Sequence, residues 1–104
     1  MNYSFHRDDR LGICLPVLNE PWERYSLETQ EIILSKWESI RGRIPDRIKE
    51  IEQGINTKQL QLNNEENFER SCQLNSDIAE LASIINDLWI WYRMDNHLSA
   101  RSHF

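Results

Sequence analysis

Glycine, proline and cysteine are scarce in this chain of 104 residues, with three, three and two of each. The glycines at 12, 42 and 54 stand alone, which excludes a phosphate-cradling loop, because that device needs clustered glycines whose backbone amides converge. Cys14 and Cys72 are too few and too far apart for a disulfide scaffold or a metal knuckle. The three histidines, His6, His97 and His103, occupy the outer regions of the chain, and none has a metal-binding spacing to a carboxylate. No Gly-x-Ser-x-Gly elbow occurs, and no base accompanies Cys72, which reads as a small buried packing residue. The chain is therefore expected to be non-enzymatic, with no cofactor and no metal.

Long apolar runs are missing as well. None reaches the roughly 18 residues of a membrane span, and Asp8, Asp9 and Arg10 interrupt the region where a secretory signal would be apolar. A cytoplasmic protein with reduced thiols is the expectation. A net charge of -5 repels phosphate backbones and anionic lipid surfaces. The one concentration of positive charge, Arg41, Arg43, Arg47 and Lys49, is interleaved with Asp46, Glu50 and Glu52, so contact with nucleic acid is not expected.

What is present is a helical pattern. With 39% hydrophobic and 28% charged residues, the composition suits one folded domain. Pro16 and Pro21 keep residues 1–25 out of any long helix, and the alternation of Ile13, Leu15 and Val17 has no partner strand later in the chain. The segment reads as an extended arm over the helices, anchored by apolar residues such as Tyr3, Phe5, Leu11 and Trp22. Ser26 is placed to cap a first helix over 26–42, with Ile33, Trp37, Ile40 and Ile44 as its stripe and Glu28 and Glu31 near its positive end. Gly42 and Pro45 mark the end of that helix. A second helix over 45–62 carries Ile48, Ile51, Ile55 and Leu62, interrupted by Lys58. Asn63 or Asn64 can cap the third, whose stripe of Leu74, Ile78, Leu81, Ile85, Leu88 and Tyr92 keeps spacings of four and three throughout. Cys72, Ala79 and Ala82 run beside it as a row of small residues.

A third helix over 65–93 is roughly 43 Å long and its antiparallel mate roughly 27 Å. Its far end, rich in Trp89, Ile90, Trp91 and Tyr92, is apolar on every side and needs cover from the first helix, the arm or another molecule. The expected fold is all-α, a three-helix up-and-down bundle with a long C-terminal helix, an extended N-terminal arm and a flexible tail over 95–104.

The stretch NFERSCQLNSDIAEL, residues 67–81, places Phe68, Glu69, Ser71, Cys72, Leu74, Ile78 and Leu81 in an order that resembles the UVR motif. That motif is a short helical hairpin of bacterial nucleotide-excision-repair proteins and some Clp protease partners. Asn75 and Ser76 stand where the family has an Arg-Asp pair. The resemblance implies a hairpin that docks onto another hairpin or a partner protein.

The functional expectation is a protein-protein interaction module or small adaptor, self-associating or docking a protein partner through Leu88, Trp89, Trp91, Tyr92 and Arg93. The alternative is an accessory protein in nucleic-acid processing or repair. If Trp89 is core, Trp89→Ala should cost about 3–5 kcal/mol. Lys58→Leu should stabilise the helical hairpin, both effects being measurable by denaturant titration.

Overall fold

The computed structural model describes residues 2–94. Its elements are β1 (Tyr3–Asp8), β2 (Ile13–Leu18), a 3-10 turn (Trp22–Arg24), α1 (Leu27–Arg41), α2 (Ile44–Asn63) and α3 (Phe68–Tyr92). The architecture is helix-rich but mixed α/β, and it departs from an all-α up-and-down bundle in two ways.

The first departure is the N-terminal arm. Residues 3–18 pair with themselves as an antiparallel hairpin, with Tyr3 opposite Leu18, Phe5 opposite Pro16 and Asp8 opposite Ile13. The missing partner strand lies before the apolar run, not after it. Pro16 is tolerated because a two-stranded sheet has two outer edges, where an absent amide hydrogen breaks no ladder. Between the strands, Gly12 takes a φ of 76°, a conformation that favours glycine. Its amide donates to the Asp8 carbonyl at 2.7 Å, while the Asp8 carboxylate accepts from the Leu11 amide at 2.9 Å. The hairpin base is tied by Tyr25, whose hydroxyl donates to the Asn2 carbonyl and accepts from the Asn19 amide.

The second departure is the joint between α1 and α2. Gly42 (φ -62°, ψ -19°) and Arg43 (φ -90°, ψ -10°) both stay in the right-handed helical region, so the chain passes from α1 into α2 without turning back, and Pro45 occupies the first turn of α2, where its missing amide hydrogen costs nothing. The Gly42 amide still reaches the Glu38 carbonyl at 3.0 Å, and the Arg47 amide reaches that of Arg43 at 3.2 Å. From 27 to 63 the helical path is roughly 55 Å long, in keeping with a molecule of 60 × 22 × 19 Å. Among the described helices, α2 and α3 form the antiparallel pair.

This path covers the long helix. At about 37 Å, α3 outruns the roughly 30 Å of α2, and its last turns lie on the last turns of α1. The Trp37 and Trp91 rings meet edge to face at 5.6 Å, and the Trp37 indole donates to the Met94 carbonyl at 3.1 Å. Ile33, Trp37, Ile44, Leu74 and Leu88 are wholly buried, and Ile48 and Ile51 nearly so; Ile44, read as the end of the first helix's stripe, belongs to α2, and Ile40 and Ile55 are only partly buried. Leu11 and Ile13 bring the hairpin into the same core, and Leu15 packs against it. The proposed tail, with His97, His103 and Phe104, lies outside the described residues.

Burying the Trp37 ring is worth roughly 4–6 kcal/mol of gross transfer energy, so Trp37→Ala should lower unfolding free energy by about 3–5 kcal/mol in a denaturant titration. Gly12→Ala should also destabilise: besides the positive φ, the added Cβ would lie 2.5 Å from Arg47 Nε.

Candidate interaction face of helix α3

Helix α3 starts at Asn67, whose side chain accepts from the Arg70 amide at 2.9 Å, so the cap is neither Asn63 nor Asn64. One face of α3 is packed. Leu74, Ile84 and Leu88 are buried, and Leu81, Ile85 and Tyr92 are partly so. The hairpin covers a second face through Arg10, which donates to Glu80 Oε1 at 2.8 Å, Asp87 Oδ2 at 2.7 Å and Ser83 Oγ at 3.0 Å. The bonds to Glu80, foremost, and to Asp87 raise the Arg10 pKa, and all three hold the turn against α3.

The remaining face is open. Cys72, Ala79, Ala82, Asn86, Trp89 and Arg93 follow one another on it at heptad spacing, and all are exposed. Cys72 is therefore not a buried packing residue, and the row of small side chains borders solvent instead of a neighbouring helix of the same chain. Trp89 is 39% and Ile90 43% exposed. Trp89 stacks edge to face on Tyr92 with centroids 5.4 Å apart, and Asn86, Trp89, Tyr92 and Arg93 line an open cavity of about 450 Å³.

The five residues nominated for partner contact thus divide. Leu88 is wholly buried and serves packing. Trp91 is half-buried against Trp37, and Tyr92 lies beneath the Arg41 guanidinium, 4.7 Å from its ring centroid. Trp89 and Arg93 are exposed, Arg93 closing the helix end by donating to the Trp89 carbonyl at 3.1 Å. Sequence reasoning omitted Ile90 and Phe68 from this face, although Phe68 is 80% exposed. Phe68 precedes Cys72 at heptad spacing, a signal that was available.

Among the described residues, the basic side chains are interleaved with acidic ones. Arg41 pairs with Glu38 at 3.0 Å, and Arg47 spans the Leu11 carbonyl at 3.0 Å and Glu50 at 3.2 Å. A cleft of about 480 Å³ beside the joint is lined by Arg7, Arg43 and Arg47, but Asp46 and Glu50 line it too. Among the described residues there is no group of three or more His, Cys, Asp or Glu able to hold a metal, and no helix long and apolar enough to cross a membrane.

Lys58 does not simply send its ammonium into water: it meets Asp77 Oδ2 on α3 at 3.2 Å, while Gln73 donates to Asp77 Oδ1 at 2.8 Å. Gln73 first and Lys58 second hold the Asp77 carboxyl below its ordinary pKa. A folded-state pKa below the unfolded value of about 3.9 contributes stability that is present above that value and is lost as pH falls through the lower one. Lys58→Leu should accordingly give no gain in stability at neutral pH and should flatten the acid limb of a melting-temperature profile. Trp89→Ala, at a partly exposed ring, should cost about 1–2 kcal/mol and not the amount expected of a core residue.

Compared with known proteins, the chain matches no family model, no curated protein and no solved structure.

Proposed function

We propose that this chain is a non-enzymatic interaction module that docks another protein surface through the open face of α3. The observation that carries this reading is the exposure of Trp89 and Ile90 on a helix whose opposite side is fully packed. Aromatic residues and arginine dominate the energetics of protein interfaces, and here Trp89, Tyr92 and Arg93 surround one cavity. The face lies on a helix already packed against α2 and bonded to the hairpin through Arg10, and a pre-formed helical surface costs less conformational entropy on binding than one that must first order. The resemblance of residues 67–81 to the UVR motif supports the same reading, since hairpins of that family dock onto other hairpins or partner proteins.

The test is selection of helical peptides from a display library on the immobilised chain, with a Trp89→Ala, Ile90→Ser variant as the counter-selecting surface. Peptides that bind the parent chain at least tenfold more tightly than the variant, and that shift amide resonances between 82 and 93, support the docking face. Enrichment equal on both surfaces, or none, overturns it.

A further inference from the structure

We infer that the partner this face fits is a second copy of the chain, with the two α3 helices antiparallel about a twofold axis passing between Glu80 and Leu81. The inference deepens the proposed function by naming the occupant. It rests on how the open face matches itself when reversed.

About that axis, residues equally distant from the midpoint oppose one another. Ala79 meets Ala82 of the second copy, so small side chains occupy the centre and the helix axes can approach closely there. One layer outward, Asn75 faces Asn86. Both are exposed, and each amide offers donors and acceptors that can join across the seam. In the next layer Cys72 lies opposite Trp89, a small side chain against the large ring. At either end Phe68 opposes Arg93, setting a guanidinium against an aromatic ring, with Glu69 adjacent to the cation. The layer that closes the seam therefore covers Phe68, which is 80% exposed.

The outer layers pair amide with amide, large with small and cation with ring, and the centre pairs alanine with alanine, along about 37 Å of helix. The other arrangement fails on the same residues. In a parallel pair each layer meets its own copy, so Trp89 crowds Trp89 and Arg93 repels Arg93. The self-complementarity thus selects both the occupant and its direction. An isologous contact of this kind also closes on itself, giving a dimer and not a filament.

Sedimentation equilibrium of the full chain over rising concentration should show a mass approaching twice 12.5 kDa. Ala79→Arg, on an exposed position, should weaken the dimer at least tenfold while leaving the helical circular-dichroism signal intact. For direction, a short bismaleimide should cross-link the Ala82→Cys variant carrying Cys14→Ser and Cys72→Ser, whose engineered thiols lie about three residues apart along the seam. The Cys14→Ser chain, with only Cys72, should not cross-link, because those thiols stand roughly 26 Å apart. Efficient capture through Cys72 overturns the antiparallel arrangement, and a dimer indifferent to Ala79→Arg overturns the face. A chain that stays at 12.5 kDa throughout overturns the second copy, and if it still binds the selected peptides through Trp89 the docking reading stands without it.

Discussion

The joint at Gly42 and Arg43 governs the architecture. Because both residues keep right-handed helical dihedrals, α1 continues away from α2 instead of folding back along it. One long bent path then serves two purposes: its second part is the mate of α3, and the last turns of its first part cover the aromatic end that α2 cannot reach. The remaining apolar stripe of α1 would face water had the N-terminal hairpin not filled the place a third antiparallel helix takes in a bundle. The Lys36 ammonium lies 5.0 Å from the Phe5 ring on this contact, and Ile33 and Ile13 share the core beneath it.

Around α3 the chain satisfies two faces and leaves one. The packed face follows the uninterrupted heptad stripe, and the Arg10 fork occupies the second with three charge-assisted or polar bonds at the surface, where screening by water keeps each modest. The third face combines alanines, asparagines and one large ring. Such a mixture is too polar to drive collapse inside a monomer yet matched well enough for a specific surface, which is how non-obligate contacts differ from domain cores.

Much of this was legible in the residues. Ile33, Trp37, Ile48, Ile51, Leu74 and Leu88 sit at the spacings that one-sided burial demands, and the helix ends fall within a few residues of the Ser26 cap and the asparagine cluster. Two things were not. Gly42 beside Pro45 is compatible with a reversal or a bend, and periodicity carries no information on which is chosen, because that depends on whether the hairpin or α1 itself fills the space beside α2 and α3. The hairpin escaped because its partner strand is upstream, where Arg7 and His6 dilute the alternation of Tyr3 and Phe5. The candidate face was half visible: Trp89 and Arg93 stood out as aromatic and cationic, while Cys72 read as interior because a small residue fits either side of a helix.

The Arg10 fork bears on how the chain acquires its shape. Its bonds to Glu80 and Asp87 bridge 70 and 77 positions of sequence, and the Trp37 bond to Met94 bridges 57, whereas the β-hairpin and the α2 and α3 pair each close over short loops. Elements of that kind form within microseconds on their own, and long-range joining is the slower event. By sequence separation, the contacts that join the hairpin to the helical pair close the longer loops, and Arg10 at the hairpin tip closes some of the longest.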